Sequence, residues 1–193
     1  MPLLVENRDN ERGTVFCKTD THWSGVGCAL AARAIAEKIR AKLPAPAANG
    51  GYTSEWKEVS IEGDLGGLLK SLAPKPGRET IRIRAVREQS TNAPVAPDPN
   101  SPVLLLGDSH TLVFHDFLAE QAGLIDQLAL ELGYAPDLIG TLGSGATPVR
   151  TNLYRRSAKE PEYLNKKKLV VWCFTAREFT EAAQGWSKLP IAK

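Results

Sequence analysis

Three histidines and one well-placed serine carry most of the chemistry that this chain can offer. Ser109 follows the apolar run Leu104-Leu105-Leu106 and the pair Gly107-Asp108, and a helix-like pattern begins directly behind it. That order predicts a buried strand delivering a serine onto a tight strand-to-helix turn, with its hydroxyl at the carboxyl edge of a sheet. Backbone N–H groups at such a turn can hold an oxyanion. The plainer reading of the same serine is a helix cap.

A serine hydroxyl becomes a nucleophile when a base takes its proton, and the base works best when a carboxylate fixes its tautomer. His110 adjoins Ser109, and neighbouring side chains on a tight turn diverge. His115 falls in mid-helix by the pattern, below the turn. His22 lies past a predicted strand, two residues from Asp20, and residues two apart in extended backbone face the same way. By elimination the triad would be Ser109 as nucleophile, His22 as base and Asp20 as orienting carboxylate, against the plainer readings of Asp20 as a cap of the following helix and His22 as a hydrogen-bonded core histidine.

The oxyanion hole would use the N–H of Ser109 and one from the Gly143-Ser144-Gly145 turn, where glycine permits close approach. The alternative for that turn is a connection needing glycine only for its geometry. Arg150 could hold an anionic or hydroxyl-rich substrate, against the bland reading of a solvated arginine. Trp23, beside the histidine, could stack on a sugar ring, against ordinary core packing. Cys17, Cys28 and Cys173 show no metal-ligand spacing. Buried thiols are expected, with no metal and no cofactor.

These residues need elements to place them. With 193 residues, the chain is expected to form one domain over 1–193. A strand over residues 14–18 should run into the Asp20 segment. A helix should follow to Leu43, capped by Ser24, because Cys28, Ala32, Ile35, Ala36, Ile39 and Leu43 keep the helical period. Arg33, Glu37 and Arg40 fall on its opposite, solvated face. Residues 55–61 read as a strand, and residues 64–72 as a short helix with Asp64 as N-cap. Residues 80–87 alternate apolar and basic, a half-exposed strand whose three arginines point one way.

Residues 89–102, with four prolines, read as a loop or linker. The helix behind Ser109 should carry Val113, Phe114, Phe117 and Leu118, and a second helix should span residues 124–133. Residues 137–141 read as a strand, a helix should start near Pro148, and residues 169–174 read as another buried strand. Strands alternating with helices predict an α/β sandwich with a mostly parallel sheet, whose sites form at carboxyl strand ends.

A net charge of +2 does not call for nucleic acid as a partner. No apolar run is long enough to cross a bilayer, and the first residues do not form a signal peptide. The chain is therefore expected to be cytoplasmic, already processed, or part of something longer.

Thr19-Asp20-Thr21-His22-Trp23-Ser24-Gly25-Val26-Gly27, followed by Leu106-Gly107-Asp108-Ser109, resembles the SGNH-hydrolase-like domain of alginate O-acetyltransferases of the AlgJ and AlgX type. The similarity runs over residues 14–179. It implies a three-layer sandwich in which the Asp/His block precedes the Gly-Asp-Ser block, the reverse of ordinary SGNH hydrolases. It also implies a Ser109–His22–Asp20 triad that moves an acetyl group, through an acetyl-serine, to a polysaccharide hydroxyl in the periplasm or cell envelope. The acetyl donor would be handed over by a membrane-bound acyltransferase. Family members carry more chain ahead of the Asp-x-His block, so a truncated or domain-only form is expected. His110 stands where an aromatic residue is common in the family, and the Asn block of ordinary SGNH enzymes is not evident.

Three rivals stay open at this level. An esterase or deacetylase would use the same triad and give the acyl group to water. A metallophosphoesterase is imitated by Asp20-Thr21-His22 and Gly107-Asp108, although three histidines are few for that class. A non-catalytic carbohydrate-binding relative would keep the fold alone.

Overall fold

The computed structural model describes residues 2–44, 51–69, 74, 76–143, 146–180 and 182–191. In chain order the elements are α1 (Pro2–Glu6), α2 (Gly25–Arg40), β1 (Tyr52–Ile61), α3 (Leu65–Leu69), β2 (Glu79–Glu88), β3 (Val103–Gly107), α4 (Ser109–Leu112), α5 (Leu124–Leu132), β4 (Asp137–Gly140), α6 (Ala146–Lys159), β5 (Leu169–Cys173) and α7 (Arg177–Thr180). They fall into two compact units, each made of two stretches of chain. One holds Met1–Val95 and Val113–Tyr134, the other Ala96–Leu112 and Ala135–Lys193. The architecture is mixed α/β with one parallel sheet, as the alternation of patterns predicts.

In the first unit, α2 begins where Ser24 caps it: Oγ accepts Val26 N–H at 3.1 Å and Gly27 N–H at 3.2 Å. Cys28, Ala32, Ala36 and Ile39 form its buried stripe, while Arg33, Glu37 and Arg40 are exposed. That stripe packs on α5, whose Leu124, Ile125 and Leu128 are fully buried, and on β2. β1 and β2 pair antiparallel, from Tyr52 opposite Glu88 to Ile61 opposite Glu79. They form a sheet of their own and do not join the parallel one.

Three expectations change in this unit. Residues 14–18 make no strand; Phe16 forms a single antiparallel bridge with Trp23. The predicted helix beyond Ser109 stops at Leu112, and residues 113–121 form an irregular loop. The arginines of β2 also part company, because Arg87 has the opposite parity from Arg82 and Arg84. Arg84 is not solvated: it donates to Gln127 at 2.7 Å and Glu131 at 2.9 Å on α5. The helix expected over residues 64–72 is seen as α3, with residues 70–73 outside the described residues.

The second unit is organised on β3, all five residues of which are buried. It pairs parallel with β4 on one side and β5 on the other, so its continuous apolar run is that of a central strand. Leu104, Leu106, Ile139, Val149, Leu153 and Tyr163 form one core cluster. β5 is less buried than its sequence suggests: among the described residues it pairs with β3 alone, and Val170 is 49% exposed.

The linker over residues 89–102 is irregular, and its end is tied by the basic run before β5. Lys167 Nζ donates to Pro99 O at 2.7 Å and to Ser101 O at 3.1 Å. The same ammonium lies 2.7 Å from Asp137 Oδ2, with side-chain exposures of only 3% and 2%. Tyr163 OH donates to that carboxylate oxygen at 2.5 Å. A buried ion pair that loses one partner leaves a charge without compensation. Lys167→Met is therefore expected to cost about 3 kcal/mol in urea unfolding.

Candidate active site

Asp20 and His22 sit in a turn whose backbone N–H groups are held by carboxylates. Glu79, the first residue of β2, accepts Lys18 N–H at 2.7 Å, Thr19 N–H at 2.9 Å and the Thr19 hydroxyl at 3.1 Å, all on Oε2. Asp64 accepts Thr21 N–H at 2.9 Å and the Thr21 hydroxyl at 2.7 Å. Asp20 Oδ1 accepts His22 N–H at 3.0 Å, and its Oδ2 accepts Asp64 N–H at 3.0 Å. Gly63 backs this turn, because a Cβ there would strike Thr19 O and the Asp20 Cβ.

The same Asp20 Oδ1 meets His22 Nδ1 at 2.6 Å. Both residues are buried, Asp20 at 5% and His22 at 7% exposed. The pair expected from sequence therefore forms, but not through extended backbone. Asp20 folds back on the N–H two residues ahead, an Asx turn, and that fold carries its oxygen to the ring nitrogen. Burial works against the Asp20 carboxylate. The bonds from His22 and from Asp64 N–H outweigh it and hold its pKa below the ordinary carboxylate value. Asp20 therefore stays an anion that fixes the imidazole with a proton on Nδ1.

Asp64 is a site residue that the pattern did not reveal as such. Its carboxylate serves Thr21, while its carbonyl takes the Gly67 and Leu68 N–H groups of α3 at 3.0 and 3.1 Å. Nothing in the spacing joins positions 43 residues apart. Asp20, His22 and Asp64 bring one ligand atom each within 4.8 Å of one another. The oxygens concerned already accept hydrogen bonds from N–H and O–H donors, which suits a braced turn better than a cation cage. Asp20, His22 and Asp64, with Phe117 and Leu118, line an open cavity of about 620 Å³.

The Ser109 turn belongs to the second unit. Ser109 is buried, at the first position of the four-residue α4, immediately behind β3. Gly107 is required there, since a Cβ would collide with the Thr111 side chain and Cys173 O. Asp108, fully buried, is the brace of this turn. Its Oδ1 accepts His110 N–H at 2.9 Å and lies 3.3 Å from His110 Nδ1, while Oδ2 accepts Thr175 N–H at 3.0 Å. His110 thus addresses Asp108 with both its backbone N–H and its ring. Burial opposes the Asp108 charge, and the bonds from His110 and Thr175 prevail to lower its pKa.

Neither nearby thiol competes as a nucleophile. Burial, then the carboxylates of Glu79, Asp20 and Asp64, push Cys17 up to about 12. Burial, then Asp108, push Cys173 up to about 12. Both stay protonated at neutral pH.

The remaining predicted residues fare unevenly. Trp23 is 7% exposed and packs in the core, so its ring is not offered as a sugar platform. Arg150 is half-buried and held within its own unit: it donates to Ala146 O at 2.8 Å and lies over the rings of Trp172 and Trp186, at 5.9 and 5.6 Å. Gly143 is exposed at φ 80° behind β4, and Gly145 lies outside the described residues. His115, expected in mid-helix, instead sits on the irregular loop with Nδ1 2.9 Å from Asp126 Oδ2. Its pairing joins positions 11 apart with no regular element between them, and periodicity gives no signal for that.

Residues 2–176 match the family described as the SGNH hydrolase-like domain of the acetyltransferase AlgX. A curated relative, the probable alginate O-acetylase AlgJ of Pseudomonas putida, is 29% identical over 179 residues, which are 86% of this chain and 43% of the relative. The chain thus spans less than half the length of that relative. Among solved structures, the O-acetyltransferase domain of Pseudomonas putida AlgJ superposes with TM-score 0.65 at 22% identity, covering 89% of this chain and 56% of that one. Pseudomonas aeruginosa AlgX superposes with TM-score 0.63 at 16% identity, over 86% of this chain and 38% of that one. At these identities the superpositions speak for the fold.

Asp108→Asn is expected to cost about 2 kcal/mol at neutral pH, because the amide turns an N–H toward a backbone donor. Asp108 has a lowered pKa, so its contribution is present above 3.8 and is lost as pH falls through the folded value. Unfolding midpoints of wild type and variant should converge in acid.

Proposed function

The chain belongs to the family of SGNH hydrolase-like domains of the AlgX acetyltransferase type, and on that premise we propose that it is an O-acetyltransferase acting on a polysaccharide of the cell envelope. The observation that carries the proposal is the buried contact of 2.6 Å between Asp20 Oδ1 and His22 Nδ1. A carboxylate in that position holds one tautomer and stabilises the imidazolium that forms during acyl transfer.

In this reading His22 Nε2 takes the proton of Ser109 Oγ as the oxygen attacks the acetyl carbonyl of a donor ester. The tetrahedral oxyanion is held by backbone N–H groups, that of Ser109 among them. Collapse breaks the donor C–O bond, His22 returns its proton to the departing oxygen, and Ser109 is left acetylated. A polysaccharide hydroxyl then gives its proton to His22 and attacks the acetyl-serine, which releases the acetylated polymer and restores Ser109. The reaction class follows the relative named as an alginate O-acetylase. A membrane-bound acyltransferase would present the acetyl group on the periplasmic side. We assign no step to Arg150, whose guanidinium is committed within its own unit, or to buried Trp23.

Turnover of a chromogenic acetate ester, with and without an oligosaccharide acceptor, tests the proposal. Ser109→Ala should lower the rate by about a thousandfold or more, and Asp20→Asn by a similar factor. Intact mass should show one acetyl on wild type and none on Ser109→Ala. Equal rates for wild type and Ser109→Ala would sink the triad. Free acetate as the sole product, with acceptor present, would make the protein an esterase.

A further inference from the structure

The loop of residues 113–121 contains three non-glycine residues at positive φ: Phe114 at 64°, Leu118 at 63° and Gln121 at 65°. Each such residue costs about 1 kcal/mol or more, so contacts must hold the loop in shape. The backbone supplies some of them. Phe114 N–H donates to Phe117 O at 2.9 Å, Ala122 N–H to Phe114 O at 2.8 Å, and Gln121 O accepts Val86 N–H at 2.7 Å.

A side-chain tie is made by His115 Nδ1, 2.9 Å from Asp126 Oδ2 in the first turn of α5. That oxygen also accepts Gly123 N–H at 2.8 Å. Asp126 would cap its helix without any histidine, so His115 fastens the loop to an existing cap. Two residues beyond His115, in the middle of the loop, the Phe117 ring stands edge-on to His22, with centroids 5.5 Å apart and planes at 73°. Phe117 and Leu118 also wall the cavity that holds Asp20 and His22.

We propose that His115 is a positioning residue for acyl transfer: clamped on Asp126, it holds the loop so that Phe117 packs against the His22 ring and closes that wall of the cavity. The proposal rests on the reading of His22 as the base. The groups facing His115 are Asp126 from α5 and, from its own loop, Asp116, whose Oδ1 lies 3.8 Å from Nε2; Glu120 lines the same pocket. Burial disfavours the charged imidazole, but Asp126 and then Asp116 outweigh it and raise the pKa above 6.5. The clamp therefore fades as pH rises through the folded value of His115, and at the acid end it is lost as Asp126, whose carboxyl burial pushes above the ordinary carboxylate value, takes up a proton.

With three histidines in the chain, the His22 ring signals can be assigned by NMR and report the Phe117 ring current directly. In the full chain, Phe117→Ala should displace them, and His115→Leu should displace them in the same direction. His115→Asn, which can still donate to Asp126, should restore most of the wild-type position. Adding His115→Leu to Phe117→Ala should change nothing further. Ester turnover in His115→Leu should fall about tenfold and be non-additive with Phe117→Ala.

His22 signals that stay at their wild-type position in folded His115→Leu would overturn the proposal, as would additive effects on turnover. If His115→Leu does not fold, Asp126→Asn replaces it. That variant keeps an acceptor for Gly123 and loosens the grip on His115, so the same displacement is expected and its absence overturns the idea. The NMR readout needs no turnover, so failure of the clamp and failure of the base assignment give different results.

Discussion

A buried imidazole keeps one place and one tautomer only if something fixes them, and for His22 that is the capping of one turn by carboxylates. Lys18, Thr19, Thr21 and His22 each direct a backbone N–H at an acidic side chain. Those acids come from the start of β2, from the residue ahead of α3, and from the turn itself. The N–H groups offset the cost of partly burying the anions, and the anions satisfy donors that no ladder reaches. Asp20 is the keystone, since its two oxygens serve His22 N–H, His22 Nδ1 and Asp64 N–H. Burial, and after it the same negative field, explain why Cys17, one step outside the turn, keeps its proton.

The chain uses this device twice. Asp20-Thr21-His22 and Asp108-Ser109-His110 share the Asp-x-His pattern, and in both the aspartate accepts the histidine N–H, at 3.0 and 2.9 Å. The difference lies in the ring: Nδ1 to Oδ1 is 2.6 Å in the first turn and 3.3 Å in the second. In the first turn the middle residue is a threonine braced by Asp64. In the second it is Ser109, and the brace holds the serine's own turn. One local geometry thus orients an imidazole in one place and shapes the turn that carries Ser109 in another.

Much of this was legible from residue order alone. The helical period of α2, its Ser24 cap, the buried β3 and the pairing of Asp20 with His22 all follow from short-range pattern, because each is decided within a few residues. What escaped was decided by partners far along the chain. Asp64 and Glu79 reach the Asp20 turn across 43 and about 60 positions. The apolar residues 113–118 imitate a helix, yet Phe114 and Leu118 take positive φ and turn the chain aside. Gly107 and Asp108 looked like a prefix to the serine; they prove to be the close approach and the brace that shape its turn.

The interleaving of the two units governs how the polypeptide can be made. The first unit lacks α5 until Tyr134 has been synthesised, because Val113–Tyr134 belongs to it. β3, apolar and destined for burial on both sides, is completed at Gly107, but its partners begin at Asp137 and Leu169. On the ribosome that strand must wait for some 60 residues before its second neighbour arrives, and a waiting apolar strand invites mispairing. Protection of the nascent chain during that interval becomes a requirement written into the topology.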